Sequence, residues 1–123
     1  MYQVRTDIQK NRLYLTLGRI LSKEETQQIE VRVLQEVKRL RQGFTCISDL
    51  RDFCMETDLN DNFMQEIQEI LWDSGVRAVA RISPMHQCKG HFRFEQGSAV
   101  WPSYDIIPVH SLKEAEARLD ALP

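Results

Sequence analysis

The chain is poor in cysteine, in basic clusters and in long apolar runs. It has only three cysteines in 123 residues, widely spaced and without a CxxC pair. That excludes a disulfide-framed secreted scaffold and favours reduced thiols in a cytoplasmic protein. No Lys/Arg tract is dense enough to read as a nucleic-acid footprint, and the net charge is -2. No apolar run approaches the roughly 20 residues of a membrane span. The first residues, Met1-Tyr2-Gln3-Val4-Arg5, show no signal-peptide core. Linkers, internal repeats and low-complexity segments are also missing. What remains is an ordinary globular composition, 42% hydrophobic and 28% charged. The expectation is one domain over residues 1–123 with a single core.

Hydrophobic periodicity then sets out the elements. Tyr2 and Val4 alternate with polar residues, Asp7 to Asn11 is turn-like, and Leu13, Leu15 and Leu17 alternate again. This is the pattern of a β-hairpin with one buried face. Gly18 marks either a bulge or a close approach of backbone. Ser22 with Glu25 forms a capping box, and an amphipathic helix over Ser22–Gln42 follows with Ile29, Val33 and Val37 on one stripe. Gly43 is its stop. Phe44–Leu50 is a short apolar run suited to a strand covered on both faces. A second helix is expected over Asn60–Ser74, with Asp58 or Asn60 at its N-cap. Val76–Ser83 reads as a strand, Ile106–Val109 as another, and Pro108 places the latter at an edge or bulge. Ser111 and Glu114 form a second capping box before a last helix. Strands alternating with helices imply an α/β fold: a mixed, mainly parallel sheet with an N-terminal hairpin and helices packed on it.

Leu13 to Gly18, Ile47-Ser48-Asp49-Leu50-Arg51, Val79 to Pro84 and Ser111-Leu112-Lys113-Glu114-Ala115 stand in the order and spacing of a STAS domain. That fold is shared by anti-sigma-factor antagonists and the cytoplasmic tails of sulfate transporters. The resemblance runs over almost the whole chain. It implies a non-enzymatic regulatory module that docks a protein partner, or itself as a homodimer. In the antagonists, the strand resembling Ser48-Asp49-Leu50 leads to an Asp-Ser-Ser-Gly turn whose serine is phosphorylated. Here that turn falls near Thr57-Asp58-Leu59-Asn60 and has no Ser-Gly. Asp58 stands at the phosphoserine position, and Thr57 is the only hydroxyl nearby. Asp52, Cys54, Glu56, Thr57, Asp58 and Asp61 are therefore the expected partner-binding residues, in an acidic loop over 52–62 beside the second helix.

Two other features invite chemistry. Phe92, Arg93, Phe94 and Trp101 lie in the long, helix-poor segment 84–104. They either pack on the sheet edge or line a site for a small apolar or anionic ligand. His86, Cys88 and His91, with Cys54, include metal-ligand types, but their spacing matches no strong zinc pattern. No cofactor or metal is expected. A thiol nucleophile needs a neighbouring base, and neither Cys54 nor Cys88 has a local signature for one. Cys46 reads as a small core residue.

Overall fold

A computed structural model describes residues 1–55, 62–84 and 105–123. β1 (Tyr2–Asp7) and β2 (Arg12–Leu17) form the expected hairpin, antiparallel with Val4 opposite Leu15. Asn11 takes a left-handed φ of 54° at its turn, a conformation that asparagine tolerates better than most residues. After Gly18 the chain makes a two-residue strand, β3 (Arg19–Ile20). Helix α1 (Lys23–Val37) leads to β4 (Thr45–Asp49), followed by a second short strand, β5 (Cys54–Met55). Helix α2 (Phe63–Asp73), β6 (Ala78–Ile82), β7 (Asp105–Val109) and helix α3 (Leu112–Asp120) complete the described chain.

The main sheet has the order β1-β2-β4-β6-β7. Every pair except β1–β2 is parallel, with Leu13, Cys46 and Val79 level across the three inner strands. Because side chains alternate along each strand, these three point to one face, and Tyr14, Ile47 and Ala80 point to the other. The first face carries α1 and α2, which bury Ile29, Val33, Phe63 and Ile67 with Val4, Leu13, Cys46 and Val79. The second carries α3, which buries Ala115 and Leu119 against Tyr14, Ile47, Ala80 and Ile82. Pro108, in β7, lies on the edge strand as expected.

Both capping boxes form. Ser22 Oγ accepts from the Glu25 amide at 3.2 Å, and Ser111 Oγ accepts from the Glu114 amide at 3.1 Å. Each glutamate reaches back one residue beyond the serine, to the amides of Leu21 and His110. Gly18 is a close approach: its amide donates to the Met1 carbonyl at 2.9 Å, and an added Cβ would lie 3.3 Å from that oxygen.

Two helix boundaries and one added ribbon differ from the sequence expectation. α1 ends at Val37, not Gln42. The Arg39 and Leu40 amides turn back to the Glu36 and Val37 carbonyls in tighter i to i−3 bonds, and Asn11 takes the Arg41 amide with its side chain at 2.8 Å. That tertiary contact draws the chain off the helix axis. α2 begins at Phe63 with Asn62 at its N-cap position, so neither Asp58 nor Asn60 is the cap. The β3–β5 ribbon was not expected, since two residues show no period.

Candidate functional site

The candidate docking segment starts where β4 ends. Asp49 accepts from its neighbour Arg51 through both carboxylate oxygens, at 3.0 Å from Nε and 2.7 Å from the terminal nitrogen, and also from the Arg51 amide at 3.2 Å. This closed clasp stops the strand. The hydrogen bonds from Arg51 hold the Asp49 carboxyl below its ordinary value, outweighing the opposing effect of burial. Leu50 then donates to the Ile82 carbonyl, and Phe53 donates back to Leu50. Phe53 and Met55 are buried, and the Cys54 amide donates to the Gly18 carbonyl, so β5 lies against β3. The chain therefore leaves β4 pinned for six residues, with Asp52 exposed between buried anchors.

Of the six expected partner-binding residues, Asp52 and Cys54 are described; Glu56, Thr57, Asp58 and Asp61 lie outside the described residues. Cys54 is half-buried and disulfide-bonded. The expectation of reduced thiols throughout is thereby corrected, and the cysteine count gives no ground for a reducing compartment. Cys46 is a free thiol in the core, as expected; burial pushes it up to about 12, against a weaker hydrogen bond with Ser48 and the charge of Arg81. Such a thiol is not a nucleophile near neutral pH.

Phe92, Arg93, Phe94 and Trp101 lie outside the described residues, as do His86, Cys88 and His91. Among the described residues no three His, Cys, Asp or Glu side chains converge to hold a metal. Nor is any described helix long and apolar enough to cross a membrane. Described residues line two clefts of note. One, of about 50 Å³, is bordered by Gln3, Arg5, Tyr14, Thr16, Asp49 and Leu112. The other is an open groove along the outer side of α1, between Tyr2, Gln27, Gln28, Val31 and Arg32. Neither includes a residue singled out from the sequence for ligand binding.

Three polar arrangements were not visible in the sequence. Arg12, 3% exposed, bonds Thr45 at 3.0 Å, Glu116, and Asp120 at 2.9 Å, and Tyr14 donates to Glu116 at 2.9 Å. Glu30 of α1 has a carboxyl oxygen sealed from solvent, and burial first, then Glu66, pushes its carboxyl up to about 8. Gln68 in α2 is fully buried, and neither side-chain polar atom has a hydrogen-bond partner among the described residues. Each depends on contacts between distant segments, which no local spacing announces.

No family model matches the chain, and no curated protein sequence matches it. Among solved structures, that of the anti-sigma factor antagonist SpoIIAA in its unphosphorylated form is similar, with a TM-score of 0.67. The two are 11% identical over 99% of this chain and 100% of that one. At that identity the likeness is one of fold: the α/β architecture expected from the STAS resemblance is present, and function does not follow from it.

Proposed function

We propose that the chain is a non-enzymatic regulatory module that docks a protein partner, or a second copy of itself, through segment 52–62 and helix α2. The observation that carries this reading is the anchoring of the segment. The β3–β5 ribbon and the buried Phe53 and Met55 anchor its residues 52–55, which keeps the ordering cost of binding low. Asp52 stands exposed on that anchored stretch, and α2 exposes Trp72 at 46%. An aromatic side chain of that size is a common anchor in protein interfaces. The fold likeness to an anti-sigma factor antagonist agrees with a binding role.

With Asp52, Glu56, Asp58 and Asp61 in one segment, the surface carries fixed negative charge and suits a basic patch. Thr57 among these acids is a poor phosphate acceptor, because the incoming group is repelled. The test is capture of the partner by wild type, Asp52→Lys and Asp58→Lys, with melting temperatures matched. Loss of one specific partner on charge reversal, and weaker capture as salt rises, is the expected result. Equal capture by all three proteins, or stoichiometric phosphate on Thr57 in protein from its native cells, would refute a constitutive acidic docking loop.

A further inference from the structure

The hairpin register fixes which backbone groups of β1 are in use. The Met1 carbonyl takes the Gly18 amide at 2.9 Å, so these two residues are a hydrogen-bonded pair. Such pairs alternate with open ones along an antiparallel ladder, so Gln3, Arg5 and Asp7 bond Thr16, Tyr14 and Arg12. Tyr2, Val4 and Thr6 therefore turn their amides and carbonyls away from β2. β1 ends the sheet of described strands, which makes these groups a free edge. Among the described residues, only the Val4 carbonyl finds a partner on that edge. It accepts from a terminal nitrogen of Arg32, in α1, at 3.1 Å. Gln35 at 3.3 Å and Glu36 at 3.6 Å hold the other terminal nitrogen of the guanidinium. Glu36 is buried and also accepts from the Thr6 hydroxyl at 3.2 Å.

A bare edge of this kind is a template for another strand. The strand it fits is a second copy of itself. Two copies of β1 pair antiparallel about a two-fold axis, the commonest symmetry of homodimers. With the axis at Val4, Tyr2 faces the second copy's Thr6, Val4 faces the second copy's Val4, and every outward group of these three residues is paired. On the second face of the sheet, Arg5 then stands opposite the second copy's Gln3. An axis at Arg5 sets two arginines directly opposite, which is destabilising, and an axis at Gln3 leaves Thr6 unpaired. Thr6 meets Glu36 and Val4 meets Arg32, so the middle of α1 is level with an axis at Val4. There the outer side of α1 is an open groove of about 440 Å³, lined by neutral Gln27 and Gln28 and by Val31, which is 52% exposed. Arg32 is the one basic residue among the described residues of that lining.

We propose that Arg32 guards the outer edge of β1 against a second copy of the chain. It occupies the acceptor at the centre of the one register that pairs every outward group. Symmetry also brings two guanidinium groups to the axis, each beside its own Val4 carbonyl, where like charges repel. The fold thus carries a self-pairing edge and, on the neighbouring helix, the side chain that keeps it closed. The guard involves no residue of segment 52–62 or α2, and it stands apart from the docking role proposed for them.

The experiment compares wild type, Arg32→Ala and the double variant Arg32→Ala/Thr6→Pro by sedimentation over a range of concentrations and by amide exchange. Arg32→Ala is expected to self-associate reversibly, with a dimer Kd lower than that of wild type by at least about tenfold, because like charges brought together at an interface cost that much or more. The Val4 and Thr6 amides exchange freely in wild type and gain protection in Arg32→Ala, while the Arg5 amide, bonded to Tyr14, is protected in both. Proline at position 6 removes an outward amide that the fold itself does not use, so an edge strand accepts it. It should return Arg32→Ala to the wild-type association state. Should Arg32→Ala fail to fold, Arg32→Met keeps an apolar stem, drops every donor and carries the same comparison. Self-association through another surface leaves the Val4 and Thr6 amides unprotected and is told apart in that way. An Arg32→Ala variant that associates no more than wild type would overturn the guard. So would association that Thr6→Pro leaves intact, or wild type whose Val4 and Thr6 amides are already protected by dimerisation.

Discussion

Gly43 and Gly75 illustrate how differently two left-handed residues can be constrained. Their φ angles are 86° and 91°, and the Gly43 amide donates to the Gly75 carbonyl at 2.7 Å. A Cβ on Gly43 would meet nothing within 4 Å, whereas one on Gly75 would lie 2.9 Å from Gln42 Cγ and 3.3 Å from its Cα. Gly43→Ala should lose about 1–2 kcal/mol from backbone strain alone. Gly75→Ala should lose more in chemical denaturation; equal losses would mean that Gln42 moves aside without cost. Arg12 gives a second residue-scale contrast. Its guanidinium is buried while Glu116 and Asp120 are partly solvated. Replacing Arg12 by Met therefore leaves two carboxylates that water can reach, and one buried hydroxyl, that of Thr45. Replacing both acids by Ala strands a buried charge and should cost about 3 kcal/mol, more than Arg12→Met. The network also has a pH signature. Burial raises the Glu116 carboxyl, but Tyr14, Arg12 and Lys10 together outweigh it and leave the group below its ordinary value. Its contribution is present above pH 4.5 and fades as the solution is acidified, a loss that Glu116→Gln should abolish in acid melting curves.

At the scale of elements, the two serine caps were legible because a capping box is a local pattern. Ser22→Ala and Ser111→Ala should each cost about 1 kcal/mol. The second should act more strongly on helicity, since α3 spans only nine residues and nucleation weighs more on a short helix. Circular dichroism with thermal melts checks both; no change in either variant would mean that water replaces the hydroxyl at no cost. The end of α1 was not legible. Lys38, Arg39 and Arg41 suit a helix C-terminus, yet Asn11, from the hairpin turn, binds both the amide and the carbonyl of Arg41. A contact across thirty residues overrides local propensity. The same reasoning explains β3 and β5, which exist because the hairpin strand and β4 run on in parallel past Gly18 and Phe53. Of the candidate docking segment, the sequence located the exit from β4 and the acid at Asp52. It did not show that Phe53 and Met55 would be buried.

For the molecule as a whole, the mainly parallel sheet was readable from strands alternating with helices. The division of labour between the faces was not. The first face has two described helices and the second has one. Among the described residues α3 alone packs on Tyr14, Ile47, Ala78, Ala80 and Ile82. Truncation after His110 should expose this cluster and cause aggregation and loss of a cooperative melt, visible by light scattering and calorimetry. A truncated chain that still melts cooperatively would show that this cluster tolerates water.

The Arg12 network has a consequence in time. The arginine leaves a ribosome ahead of its carboxylate partners, which lie 104 and 108 residues downstream. At roughly 5–20 residues per second, they appear about 5 to 20 seconds after it. Until then the hairpin holds a cation it cannot bury without penalty. The packing of β2 around Arg12 is complete only once the segment with Glu116 and Asp120 has arrived.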